Sequence, residues 1–231
     1  MIPVQPAPAP EDFEQRVRGP GRRALLELTG DPAATTRRGP KRKRRYPSVD
    51  AIPVAELDKT HYWTAALPDM RERYRGLCAY LAMRIHPATG AGTIDHFVPK
   101  TKDKWKAYEW ANFRLATQLV NTYKGDAEDV LDPFEIEAGW FVLDLGDFEV
   151  KANPKIEAEL RRRVHTTAYE RLRLNEPHFC ATRRYYHDRY HGLATELGDP
   201  EEPWPLSWLE AECPFVAMEL RRQGRLRPPD R

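Results

Sequence analysis

Asp95 and His96 stand side by side in the segment TIDHFVPK; Asn112 follows sixteen residues after His96, Asn121 nine residues later, and Lys124 closes the series. These residue types suit phosphodiester hydrolysis, which needs a base to activate water, a divalent cation to neutralise charge on the phosphorane, and help for the departing oxygen. A histidine can be the base. An adjacent carboxylate can hold the metal, because neighbouring side chains on a strand point to opposite sides and the end of a strand can aim both at one phosphate. Hard cations such as Mg2+ take oxygen ligands and keep several waters, so one carboxylate and one amide oxygen suffice from the protein. Asp95 and Asn121 meet that description. Each residue also has an ordinary structural use: Asn121 can cap a helix, Asn112 can start a strand, and Lys124 can be a solvated charge.

The elements that must position these residues are legible around them. TIDHFVP is β-branched and aromatic and ends at Pro99, which predicts a short strand. FRLATQLV, after Asn112, predicts a second strand, and a short helix is expected to begin near Asn121. Between the strands, KTKDKWKAYEW reads as a loop with a helical turn. Upstream, Met70, Tyr74, Leu77, Leu81 and Ile85 are spaced as in an amphipathic helix that begins at Pro68 and is ended by His86-Pro87. Downstream, GWFVLDLGDFEVKA predicts a hairpin around Leu145-Gly146-Asp147. Leu160, Val164, Ala168 and Leu172 form one stripe of a helix whose other faces carry Arg161, Arg162, Arg163, Arg171 and Arg173. A further helix is expected from Pro177 to about Leu197, and Pro214 should break or restart a last helical region. The expected fold class is α+β with helices predominating.

A chain of 231 residues holds one main domain plus extensions. Charged residues make up 31% and mean hydropathy is −0.72, and no stretch approaches the roughly 18 apolar residues that span a bilayer. Met1 to Pro10 lacks the basic-then-apolar order of a secretion signal, so a cytoplasmic location without membrane association is expected. Cys78, Cys180 and Cys213 are too few and too scattered for a disulfide framework. Net charge is only +2, yet Arg37 to Arg45 packs seven basic residues into nine positions. Lys41, Arg42, Lys43, Arg44 and Arg45 are therefore candidate nucleic-acid contacts, or a solvated linker. The proline-rich beginning is expected to stay loosely ordered to about Pro47, dividing the chain into an arm over 1–47 and a domain over 48–231. Trp105, Tyr108 and Trp110 could stack on bases but suit a core better, and His187 with His191 lacks the glutamate of an HExxH metal site.

Thr93 to Gly125, TIDHFVPK…YEWANFRLATQLVNTYKG, resembles the ββα-metal core of HNH endonucleases. It is similar to the branch found in bacterial anti-phage systems such as Septu and retron-linked nucleases, whose pattern runs I-[DE]-H-F-x-P-K, then Y-x-W-x-N, then N-x-x-K-G. VLDPF, GWF, RLRLN and CPFVAMEL extend the likeness over roughly Arg71 to Gly224. The resemblance implies that His96 is the general base, that Asp95 and Asn121 bind Mg2+ or Mn2+, that Asn112 pins the loop orienting His96, and that Lys124 faces the phosphate. Lys100, the lysine of the first motif, joins the basic run as a candidate nucleic-acid contact. The implied substrate is DNA, and the implied partner is an ATPase of a defence system. Many relatives also carry a structural zinc between two Cys-x-x-Cys pairs, where this chain has Cys78, Leu81, Thr117 and Val120. One thiol cannot supply four ligands, so no structural zinc is expected, and apolar contact among Leu77, Leu81, Leu119 and Val120 should replace it. Two other classes stay open: a catalytically inactive HNH-fold nucleic-acid-binding subunit, and an RNA-directed nuclease toxin.

Overall fold

The computed structural model describes residues 1–34, 44–88, 90–193 and 202–231. Eight α-helices and two small antiparallel sheets make up the described part, an α+β architecture. The expectation of loose order to Pro47 is corrected for the first 34 residues. A π-helical turn (Glu14–Arg18) runs into α1 (Gly19–Thr29), and Met1, Phe13, Val17, Leu25 and Leu28 are all buried. Pro20 does not prevent this, because it falls in the first turn of α1, where a missing N–H is tolerated. Gly21 allows α1 to lie directly on Tyr108: a Cβ there would sit 2.1 Å from the tyrosine ring. Residues 35–43, which include Lys41, Arg42 and Lys43, lie outside the described residues. Of the rest of the basic run, Arg44 is exposed and Arg45 lies 3.5 Å from Glu56.

Helix α2 (Val54–Leu57) and a 3-10 turn (Tyr62–Ala66) lead into α3 (Leu67–Arg73). The helix expected from Pro68 to Ile85 stops at Arg73. Arg75 and Gly76 adopt φ of 52° and 66°, and the Gly76 N–H closes on Arg71 O at 2.7 Å, a left-handed helix end. Ala82, at φ 49°, makes a second turn in which the Cys78 N–H reaches Met83 O at 2.9 Å. Tyr80, Leu81, Met83 and Ile85 are buried all the same. The apolar spacing is thus satisfied by a folded loop rather than by a helix.

Strands β1 (Gly92–His96) and β2 (Phe113–Thr117) pair antiparallel, with Ile94 opposite Leu115, Asp95 opposite Arg114, and His96 opposite Phe113. Helix α4 (Gln118–Lys124) follows β2 directly and packs on both strands. It begins at Gln118 rather than near Asn121, because Thr117 Oγ1 accepts the Val120 N–H at 3.4 Å and caps it. Asn121 therefore sits inside the helix, and Gly125 at φ 49° ends it. The 77–84 loop joins this unit through the Ala79 N–H, which donates to Leu115 O at 2.8 Å.

Strands β3 (Phe141–Leu143) and β4 (Val150–Ala152) form the hairpin around Leu145-Gly146-Asp147. Helix α5 (Ala158–His165) continues through a π-helical stretch to Arg171 and buries Val164, Ala168 and Leu172. Helix α6 (Pro177–His191) ends short of the expected Leu197, at Gly192 in the left-handed conformation; residues 194–201 lie outside the described set. Pro214 separates α7 (Leu206–Glu212) from α8 (Pro214–Arg222) as its chemistry requires. One continuous apolar cluster runs from Met1 through Trp63, Tyr108, Phe113 and Val164 to Leu226, so the α1 segment and the C-terminal helices share a core with β1 and β2. Among the described residues no helix is long and apolar enough to cross a membrane.

Candidate active site

His96 ends β1, and only 7% of it is exposed. Its ring is held edge-on between Trp63, at 5.2 Å between centroids, and Phe113, at 5.3 Å. Nε2 lies 3.0 Å from Ala107 O. A carbonyl only accepts, so Nε2 carries the hydrogen, and in the neutral ring the lone pair is left on Nδ1. Nδ1 makes no hydrogen bond among the described residues. Burial first, and then the charge of Lys100, pull the pKa down to about 3, against the stabilising pull of the Ala107 carbonyl. The ring is consequently neutral at neutral pH, in the tautomer with Nδ1 free to accept a proton, but a pKa of about 3 makes it a much weaker acceptor than the near-neutral value that suits a general base.

The loop that supplies Ala107 is stapled by Asn112. Its Oδ1 accepts the Val98 N–H at 2.7 Å, and Nδ2 donates to Val98 O and Lys106 O, both at 3.0 Å. The amide thereby joins both ends of the crossing between the strands and fixes the residue beside Ala107. It is itself buried.

Asp95 points the other way, into the interior. It is 2% exposed; Oδ1 accepts from Lys124 Nζ at 3.0 Å and Oδ2 accepts from the Tyr80 hydroxyl. Lys124 Nζ also donates to His96 O at 3.0 Å, and its side chain has no exposed surface. The expectation that Lys124 faces a phosphate is therefore corrected: the last turn of α4 buries it against β1, where Asp95 neutralises it. Burial pushes the Asp95 carboxyl up, opposed chiefly by the Lys124 charge, and it pushes the Tyr80 phenol well up.

A hydrated Mg2+ or Mn2+ needs open oxygen ligands with room for several waters. Asp95 offers neither opening nor spare charge while an ammonium lies 3.0 Å from one of its oxygens. Asn121 is half-buried on α4 and makes no side-chain hydrogen bond among the described residues. Nor does any group of three or more His, Cys, Asp or Glu side chains among the described residues gather as a metal site would require. In this arrangement Asp95 and Asn121 do not fit the ion that the resemblance implies.

On the His96 side the near cation is Lys100. Its Nζ lies 2.5 Å from Asp58 Oδ1 and 4.5 Å over the Trp63 ring. No motif in the sequence marks Asp58, Trp63 and Tyr80, which reach the centre from the end of α2, the Tyr62–Ala66 turn and the 77–84 loop. The VLDPF segment is tied to β2 instead: Arg114 holds Asp132 through two buried hydrogen bonds, with Nε to Oδ1 at 2.8 Å, and stacks 3.6 Å over Phe134.

At the zinc-knuckle positions, Cys78 lies against Leu81 and Thr117, and its thiol is pushed up by burial. Cys78, Leu81 and Val120 are buried, but Leu119 is 41% exposed and contributes nothing to this contact, because it falls on the outer face of α4. Tyr108 and Trp110 are core residues, Trp110 Nε1 donating to Ala7 O at 2.8 Å, whereas Trp105 is partly exposed. The His187 and His191 rings lie 4.5 Å apart, with His187 Nδ1 2.7 Å from Asp188. No family model matches the chain, and no curated protein matches it.

Proposed function

We propose that this chain is an HNH-type endonuclease that hydrolyses phosphodiester bonds of DNA, with His96 as its general base. The observation that carries the reading is the placement of His96: an imidazole at the end of β1, oriented by Ala107 O through Nε2, with Nδ1 unengaged among the described residues. A water at Nδ1 would give up its proton there as its oxygen bonds to phosphorus and the bond to the leaving oxygen breaks, the leaving oxygen departing as an oxyanion that takes its proton from solvent. The order of β1, β2 and α4, with Asn112 stapling the crossing loop, supports the same reading. Mg2+ or Mn2+ is the cation that the HNH resemblance implies; the closed Asp95–Lys124 pair offers it no free oxygen, and the reading rests on His96 alone.

A second reading, an HNH-fold subunit that binds nucleic acid without cutting it, is favoured by that same closed pair and by the low exposure of His96. Service as the nuclease of an anti-phage system, beside an ATPase partner, rests on the sequence resemblance. Plasmid, linear DNA and RNA incubated with the parent and with His96→Ala, in Mg2+, Mn2+ or EDTA, separate these readings. Cleavage of DNA that is lost in His96→Ala supports the proposal. Binding without cleavage under every condition supports the second reading.

A further inference from the structure

Trp63 lies between two groups of unlike chemistry: the His96 ring meets it edge-on at 5.2 Å, and Lys100 Nζ sits 4.5 Å over its ring. An aromatic ring preorganises an ammonium in this way by attracting it electrostatically. The Lys100 side chain is 22% exposed, so its charge is shielded on one side and open on the other. What meets the open side is the carboxylate of Asp58, just past the C-terminal end of α2, at 2.5 Å.

Asp58 is the looser partner. Its side chain is 46% exposed, and it can turn into water without leaving a buried charge behind. An ion pair this accessible is weak. A carboxylate and a phosphodiester are both oxygen anions that accept from an ammonium, so the position Asp58 occupies is one a backbone phosphate could fill.

We infer that Lys100 and the face of Trp63 form a subsite for one nucleic-acid phosphate beside His96, and that the Asp58 carboxylate stands in it until a phosphate displaces it. The inference rests on the nuclease reading for its location next to the base. It goes beyond that reading in assigning Asp58 and Trp63, and in giving Lys100 a place on the His96 side that the buried Lys124 cannot take.

The test is a double-mutant cycle on binding, built in a His96→Ala background and read by the anisotropy of a short fluorescein-labelled DNA duplex. Asp58→Asn should tighten binding about tenfold at low salt, and that gain should vanish when Lys100→Met is added. Lys100→Met alone should lower the slope of log K against log salt by about one, and Lys100→Arg should keep it. Thermal unfolding of each variant checks that the fold is intact. If Asp58→Asn tightens binding equally with and without Lys100, it acts by overall charge and the subsite is wrong; no gain at all, or no DNA binding by any variant, also overturns it. The nuclease reading is judged separately, by comparing cleavage by the parent with cleavage by His96→Ala.

Discussion

Lowering the pH from 7 to 5 should destabilise the parent protein more than a His96→Gln variant. His96 is neutral in the fold because burial and Lys100 hold its pKa at about 3, whereas the unfolded chain has the ordinary value of 6.5. A depressed folded pKa contributes stability that is present above 6.5 and is lost progressively as the pH falls towards 3. The whole span corresponds to on the order of 5 kcal/mol, of which about 2 kcal/mol falls between pH 7 and 5. The glutamine variant would lose ring contact with Trp63 and Phe113, but that loss is the same at every pH. Urea unfolding followed by tryptophan fluorescence at pH 7, 6 and 5 gives the two stability curves. The parent should lose about 2 kcal/mol more than the variant. Equal losses would show that burial and Lys100 do not hold His96 neutral in the fold. In the same range kcat/KM should show no acid limb near 6.5, since that limb reports the base of the free enzyme.

Asp95→Asn should lower Tm by about 6–20 °C, because it leaves the buried Lys124 ammonium without its counter-charge, a loss of about 3–5 kcal/mol. Asp95→Asn with Lys124→Met should recover much of that loss; additive losses in a calorimetric double-mutant cycle would contradict the pairing. Gly21→Ala should cost about 1–3 kcal/mol by driving α1 off Tyr108, and an unchanged urea midpoint would contradict that packing. Cys78→Ser should retain the fold, and the purified parent should contain no stoichiometric zinc; about one zinc per chain in elemental analysis would overturn the apolar account of the knuckle positions. Neutralising Lys41 to Arg45 should flatten the salt dependence of DNA binding, and an unchanged slope would assign the run another role.

The strands around the candidate site were legible because their residue types have few alternatives. Thr93-Ile94 is β-branched, although β1 ends at His96, before Pro99, and β2 ends at Thr117, before Val120; the hairpin at Gly146 and the break at Pro214 follow from the same backbone chemistry. Across Pro68 to Ile85, Met70, Leu77, Leu81 and Ile85 keep helical spacing while Arg75, Gly76 and Ala82 take left-handed conformations that the spacing does not report. Side-chain type likewise made Lys124 look like a surface charge. Only the fold shows that α4 turns it towards Asp95, and that the cation left beside His96 is Lys100. The proline-rich start hid a buried face, since Phe13, Val17, Leu25 and Leu28 lie among residues whose composition suggests a linker.

The central claim is that His96 activates water against a phosphodiester bond. Its most direct test is the initial rate of supercoiled-plasmid relaxation and linearisation by the parent and by His96→Ala at equal concentration, with fold and DNA affinity of both measured alongside. The expected result is cleavage by the parent and a loss of at least about a hundredfold in His96→Ala, with affinity retained, as removal of a general base produces. A His96→Ala protein that cuts as fast as the parent would contradict the account.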